Sequence, residues 1–162
     1  MNLLLRGVQA IDPTRGSDIA PCDVLLRDGV VAAIGPGIAA EPAVVVDLQR
    51  RAGEDRCVVA PAFIDLHAHL REPGDEEAET VKSGARAAAA GGFAIVLAMA
   101  NTRPPVDTPE RVAAAVERNR GGAVTVLQTA AVTHNLDGAD LTDIGACAQS
   151  GAAEPVRGHS AG

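Results

Sequence analysis

The sequence predicts an α/β fold in two parts, a small β-rich domain over residues 1–60 followed by three β/α units over residues 61–152. Short apolar segments separated by turn residues fill the first part, as in a sheet of short strands. From residue 61 onward, apolar strands alternate with segments of helical length, which is the pattern of a parallel sheet. A hydrophobic content of 47% in 162 residues is enough for a packed core.

Four strands are predicted in the first part, and a further apolar run follows them. The runs lie at residues 3–5 with residue 8, then at 24–27, 30–34 and 44–47, and finally at 57–60. The second and third runs flank Asp28-Gly29, a dipeptide that strongly favours a tight β-hairpin turn. We therefore expect these two strands to pair antiparallel.

The second part is predicted to alternate strands and helices. Strands are expected at 62–67, 93–99 and 124–132, and helices at 80–90, 109–120 and 141–149. Thr108 followed by Pro109 gives the second helix an N-cap and a proline at its first position. A three-stranded parallel sheet has edges that such proteins normally cover or close, so two alternatives stay open: a smaller open α/β fold, or a piece of a larger one.

Composition and charge argue against several classes of function. A net charge of -7 disfavours nucleic-acid binding, which needs a basic face. No apolar run approaches the roughly 18–20 residues that cross a bilayer, so no membrane association is expected. The first residues lack the basic start and the cleavage site of a signal peptide. Cys22, Cys57 and Cys147 are odd in number and widely spaced, which predicts free thiols in a reducing cytoplasm.

Asp65, His67 and His69 form the clearest candidate site, at the end of the first strand of the second part. Side chains alternate along a strand, so all three are predicted to point to one face. Two imidazoles two residues apart can share one zinc, nickel, iron or cobalt ion. The carboxyl ends of parallel strands are where β/α barrels place their active sites, which favours a metal site over a chance pair of histidines.

Arg71 and Asn101 are candidate ligand-binding residues at the same edge. Arg71 could hold a carboxylate in a bidentate contact, although an isolated arginine more often pairs on the surface, here with Glu72. Asn101 lies just after the second strand, where its amide could bind a ligand. Alternatively, Asn101 could be a turn residue before the Pro-Pro pair. His134 and His159 have no partners at a metal-ligand spacing, and the sequence has no P-loop or nucleotide-binding glycine motif.

Taken together, these motifs resemble the dihydroorotases of the cyclic amidohydrolase family. The match lies in PAFIDLHAHLREPG at 61–74, ET at 79–80, SGARAAAAGGFAIVLAMANTRPPVD at 83–107, LQTAAVT at 127–133 and, less closely, DVLLRDGVVAAIG at 23–35. Allantoinases and hydantoinases share the D-x-H-x-H run. The Arg-Glu-Pro-Gly continuation with Asn101-Thr102 favours dihydroorotase among them.

The resemblance implies a small β domain followed by the first three β/α units of a (β/α)8 metal-dependent hydrolase barrel. By analogy, His67 and His69 would bind a catalytic zinc, with one or two ions in a complete member, and Arg71 and Asn101 would hold the substrate carboxylate. The implied reaction is the reversible closure of N-carbamoyl-aspartate to dihydroorotate in de novo pyrimidine biosynthesis. The proton-transferring Asp of the family is expected beyond this chain, so no catalytic residue is assigned within it.

Residues 153–162 lack strand or helix periodicity where the family continues into another strand. We therefore expect a truncated or frameshifted product with little activity of its own. Three strands of an eight-stranded barrel would leave Phe63, Ile95, Leu97 and Val126 partly exposed. Two further alternatives are a non-catalytic dihydroorotase-like piece that binds a partner, such as aspartate transcarbamoylase or a complementary barrel fragment, and an allantoinase- or hydantoinase-like hydrolase. The expected protein partner is aspartate transcarbamoylase or, in a homo-oligomer, further copies of the chain.

Overall fold

The chain forms two compact units, Met1–Pro61 and a second that starts at Ala62. The computed structural model describes residues 2–14, 17–39, 44–49 and 57–153. The expectation of a patternless tail concerns residues that lie, except for Ala153, outside this described part. The mixed α/β character that the sequence predicts is confirmed.

The first unit is a five-stranded mixed sheet. Its strands are β1 (Leu3–Asp12), β2 (Ser17–Arg27), β3 (Val30–Gly35), β4 (Val44–Asp47) and β5 (Val58–Val59). They lie in the order β3-β2-β1-β4, and β5 also pairs with β1. β2 is antiparallel to β1 and β3, whereas β4 and β5 run parallel to β1. The sequence predicted the first four, with β1 and β2 too short, and β5 lies within the further apolar run at 57–60.

The predicted hairpin between β2 and β3 is confirmed. Arg27 pairs with Val30 across the turn, and Asp28 and Gly29 have φ angles of 48° and 82°. Positive φ at both central residues is what a type I′ turn requires, and this turn matches the right-handed twist of the two strands. The dipeptide therefore fixes the turn and the pairing next to it, and the register shifts farther along, between Leu25 and Leu26.

The second unit is a three-stranded parallel sheet with helices between the strands. Its elements are β6 (Phe63–Ala68), α1 (Val81–Ala90), β7 (Phe93–Ala98), α2 (Pro109–Arg118), β8 (Thr125–Gln128), a 3-10 turn (His134–Leu136) and α3 (Ile144–Gln149). The strand order is β6-β7-β8. The predicted alternation is confirmed, but β8 ends at Gln128 and not at residue 132, and α3 begins three residues later than expected.

A threonine side chain caps the N-terminus of each of the two long helices. Thr80 accepts a hydrogen bond from the Ser83 N–H and Ser83 Oγ accepts one from the Thr80 N–H, which is a reciprocal capping box. Thr108 accepts from the Arg111 N–H at 3.3 Å and Pro109 opens α2, as predicted. These caps satisfy backbone N–H groups that a helix start would otherwise leave unpaired.

One face of the parallel sheet is covered by helix and the other is open. Val81 and Ala85 of α1 pack with Val96, Ala98 and Val126 of the sheet. On the opposite face, Ile64 and Leu66 are 56% and 68% exposed in the described part of the chain.

The expected partial exposure of four sheet residues is right for two of them. Phe63 is 63% exposed and Ile95 is half-buried. Val126 and Leu97 are buried, so that expectation was wrong for them. Val126 pairs with Val96 and lies under the helices, and Leu97 belongs to the central strand, where neighbours flank it on both sides.

Among the described residues, no helix is both long enough and apolar enough to cross a bilayer.

Candidate metal and ligand site

A β-bulge in β6 shapes the candidate site. Asp65 pairs with Val96 and Ala68 with Ala98, so three steps along β6 match two along β7. Val96 and Ala98 belong to the helix-covered core. Asp65 and Ala68 therefore lie on the helix side of the sheet.

The bulge separates Asp65 from the two histidines. Because Ala68 lies on the helix side, alternation places its neighbours His67 and His69 on the opposite face. The prediction that Asp65 points the same way as the histidines was therefore wrong. Its carboxylate instead accepts a hydrogen bond from the His67 N–H at 2.9 Å. Regular strand alternation gives no indication of such a bulge.

The two histidines converge. His67 Nε2 lies 3.1 Å from His69 Nε2, and the ring centroids are 4.9 Å apart. On the other side of its ring, His69 Nδ1 lies 2.9 Å from Asn101 Oδ1. His67, His69 and Asn101, three of the five candidate site residues, are thus brought into one chain of contacts at the carboxyl ends of β6 and β7.

Arg71, another candidate residue, is exposed on the loop two residues beyond His69. Its predicted surface partner, Glu72, is engaged elsewhere. Glu72 Oε2 accepts from the Val81 N–H at 2.9 Å, and Glu72 Oε1 lies 3.6 Å from Arg118 Nε. The ion pair between Arg71 and Glu72 that the sequence offered as an alternative is therefore not formed.

An open cavity of about 350 Å³ adjoins the histidines. Its walls come from the ends of all three parallel strands: Leu66 with His67 and His69, residues 99–101, residues 129–132, and Leu136. This volume is in the range of small-molecule sites. The apolar walls and the few polar groups at one end are typical of a site that orients a small polar ligand.

The loops after β6 and β7 are joined backbone to backbone. The Arg103 N–H donates to the Pro73 carbonyl at 3.0 Å, and Gly74 packs directly on the Arg103 backbone with a φ of 103°. The Gly74 N–H donates to Glu76 Oε1 at 2.9 Å, and this hydrogen bond lowers the pKa of Glu76. The contact ties the loop that carries Arg71 to the loop that carries Asn101.

A buried carboxylate holds the turn at the far wall of the cavity. Asp107 is 2% exposed, pairs with Arg111 one helical turn later, and accepts from the Asn135 N–H at 2.8 Å. Burial alone would raise the pKa of Asp107, but the hydrogen bonds from Asn135 and Arg111 outweigh it, so the pKa is lowered. Sequence analysis missed this residue, although the acid–base spacing of four is a usual signal of such a pair.

Replacing Asp107 by asparagine should lower the free energy of unfolding by about 2 kcal/mol at pH 7, because the Asn135 N–H and the Arg111 guanidinium lose a charged acceptor. A lowered carboxyl pKa stabilises the fold above the unfolded-state value of about 3.9, and this contribution is lost as the pH falls through the native value. The difference between wild type and Asp107→Asn should therefore shrink between pH 7 and pH 2.5 in urea unfolding. The matched control is Asp140→Asn, on an exposed residue; a difference for Asp107→Asn that did not change with pH would contradict the assignment.

The histidine pair fits a tetrahedral metal ion such as zinc. Two nitrogen ligands at about 2.0–2.1 Å from such an ion lie about 3.3 Å apart, close to the observed 3.1 Å. Metal-bound histidines usually donate their other ring N–H to a fixed acceptor, and His69 has one in Asn101. Within the described residues, no group of three or more His, Cys, Asp or Glu side chains comes together.

The dihydro-orotase-like family model matches residues 56–154. A dihydroorotase of Solibacter usitatus is 40% identical over 153 residues, which cover 94% of this chain and 34% of that protein. A dihydroorotase of Halalkalibacterium halodurans is 41% identical over 140 residues, covering 86% and 31%. The chain therefore spans about a third of the length of the curated relatives it matches.

Solved structures with a similar fold include hydantoinases. The L-hydantoinase (dihydropyrimidinase) of Arthrobacter aurescens is 22% identical with a TM-score of 0.64, over 83% of this chain and 29% of that one. The D-hydantoinase of Bacillus sp. AR9 is 26% identical with a TM-score of 0.63, over 81% and 27%.

Proposed function

The chain belongs to the dihydroorotase-like family, and from this we propose that it forms the metal- and carboxylate-binding part of a dihydroorotase-type cyclic amidohydrolase. The observation that carries the proposal is the convergence of His67 Nε2 and His69 Nε2 beside a cavity at the carboxyl ends of parallel strands. The reaction we propose for the complete protein is the reversible interconversion of N-carbamoyl-aspartate and dihydroorotate, a step of pyrimidine biosynthesis.

In this proposal the second unit corresponds to the first three β/α units of a (β/α)8 barrel. The similarity to hydantoinases, of which the chain covers about 29%, supports it. His67 and His69 would hold a zinc ion, with further ligands supplied by the remainder of the barrel. A zinc ion held there would supply Lewis-acid activation of a water molecule and of a carbonyl group.

Arg71 and Asn101 would orient the substrate. The Arg71 guanidinium can bind a carboxylate through two parallel N–H contacts, and it is exposed at the mouth of the strand ends. Asn101 lines the cavity beside His69 and can donate through its Nδ2. The apolar wall formed by Leu66, Val132 and Leu136 would exclude water from one side of the substrate ring.

The cysteines fit a reducing compartment. Within the described residues, Cys57 and Cys147 are free thiols, and the Cys22 thiol donates a hydrogen bond to the Val8 carbonyl at 3.5 Å. We therefore place the protein in the cytoplasm as part of the proposal.

A hydantoinase-like specificity is the second candidate, because the solved structures of similar fold carry that name. Hydantoin and allantoin rings lack the carboxylate that dihydroorotate carries, so Arg71 discriminates between the two. The sequence relatives, at 40–41% identity, are named dihydroorotase, which favours the first candidate.

The test is a chimera in which residues 1–153 replace the matching segment of the Solibacter usitatus dihydroorotase. We expect zinc-dependent hydrolysis of dihydroorotate and little turnover of hydantoin or allantoin. Arg71→Met should raise the KM for dihydroorotate by about 10- to 100-fold, since a charged hydrogen-bonding contact is lost. Arg86→Met, on an exposed position of α1, is the matched control.

Two results would overturn the proposal. One is a folded, zinc-loaded chimera that prefers hydantoin or allantoin. The other is an equal KM for wild type and Arg71→Met, which would remove Arg71 from the carboxylate site.

A further inference from the structure

The contact between Asn101 and His69 determines where the ring carries its proton. An amide oxygen can only accept a hydrogen bond, so a contact of 2.9 Å between His69 Nδ1 and Asn101 Oδ1 requires a proton on Nδ1. A neutral imidazole with its proton on Nδ1 has its lone pair on Nε2.

That lone pair points to where the two rings converge. His69 Nε2 lies 3.1 Å from His67 Nε2, and both rings lie on the face of the sheet that the helices leave open. A divalent cation at this point needs a lone pair from each ring, because a protonated nitrogen cannot bind a metal. Among the described residues, Asn101 is the hydrogen-bond partner of His69 Nδ1, and no second one is present.

Asn101 reaches His69 because the strands beneath them are paired. The Met99 N–H donates to the Ala68 carbonyl at 2.9 Å, which fixes the end of β7 beside the end of β6. Asn101 follows two residues after Met99 and lines the same cavity as both histidines. Its Nδ2 group makes no hydrogen bond within the described part of the chain and is available to a ligand.

We propose that Asn101 is a positioning residue for metal binding: its Oδ1 holds His69 in the Nδ1–H tautomer and so presents Nε2 to a divalent cation. This role is additional to any contact of Asn101 with substrate. It rests on the proposed function in one respect, that the histidine pair binds a metal ion.

The first experiment reads the tautomer directly in the 162-residue chain, with no metal and no substrate. Long-range ¹H–¹⁵N spectra of histidine-labelled chain should show His69 in the Nδ1–H form in the wild type. In Asn101→Ala, His69 should shift toward the Nε2–H form. Asn101→Asp keeps an acceptor at the same place and should restore the Nδ1–H form. His134 serves as an internal reference outside the site.

The second experiment measures zinc affinity by competition titration. Asn101→Ala should weaken zinc binding by about 10- to 100-fold, the usual effect of losing the partner of a ligating histidine. Asn101→Asp should bind zinc within a few-fold of the wild type. Thr102→Ala is the control for disturbance of the loop, because the Thr102 hydroxyl bonds only within the loop, to the Pro104 carbonyl at 2.7 Å.

The two experiments separate failure of the inference from failure of the proposed function. An unchanged His69 tautomer and an unchanged zinc affinity in Asn101→Ala would overturn the positioning role. Loss of the Nδ1–H tautomer in Asn101→Ala, rescued by Asn101→Asp, supports the assignment that Asn101 sets the His69 tautomer. Absence of zinc binding in the wild-type chain would instead overturn the proposed metal site.

Discussion

Replacing both His67 and His69 by alanine should abolish binding of zinc or cobalt, the largest effect we expect from any substitution in this chain. The two Nε2 atoms are the only pair of ring nitrogens that converge in the described residues, at 3.1 Å. Removing a metal ligand lowers the metal affinity by more than the 10- to 100-fold that follows removal of the hydrogen-bond partner of such a ligand. Titration with Co²⁺, followed by its visible absorption, and with Zn²⁺ by calorimetry, measures the effect.

Single substitutions add a check on this result. His67→Ala and His69→Ala should each lose most of the affinity, because one imidazole alone holds a metal ion weakly. His134→Ala, which removes a half-exposed imidazole next to Asp107, should leave metal affinity unchanged. Metal binding by the double variant at wild-type strength would show that the ion is held elsewhere.

Gly74→Ala should have the second largest effect, a loss of about 3 to 5 kcal/mol in the free energy of unfolding. Two causes add. The φ of 103° is strained for any residue with a side chain, and the added methyl group would lie 2.5 Å from Arg103 Cβ and closer still to the Arg103 carbonyl oxygen. Urea unfolding of the chain measures the change.

Gly138→Ala is the matched control, because Gly138 has a φ of 78° with no atom within 4 Å of an added Cβ. Gly138→Ala introduces the backbone strain without a steric overlap, so it should lower the free energy of unfolding by only about 1 kcal/mol. Equal losses for the two variants would mean that the two loops are not held together through Gly74. The chain would then need another contact to align Arg71 with Asn101.

Much of the fold could be predicted because it depends on neighbours in sequence. The Asp28-Gly29 hairpin, the Thr108 cap with Pro109 and the alternation of strands and helices are local patterns, and all are confirmed. The histidine pair is local too, since its members are two residues apart.

The remaining features depend on partners that are distant in sequence. The bulge at Asp65 exists only in the register between β6 and β7, so strand alternation alone put that carboxylate on the wrong face. Asn101 meets His69 across 32 residues, and Asp107 meets Asn135 across 28. Such contacts follow from strand pairing and loop packing, which no short motif specifies.

The central place of β1 in the first sheet governs the order in which that sheet can assemble. β1, β2 and β3 follow one another through short turns, whereas Leu3 pairs with Val44 and Gln9 with Val58. Contacts between such distant residues form late, because closing a long loop costs entropy before any pairing offsets it. One edge of β1 is therefore left open while the meander is already in place, and an open edge invites pairing with another chain. In the finished sheet, β4 and β5 pair with this edge of β1 and so remove it as a place where another chain could pair.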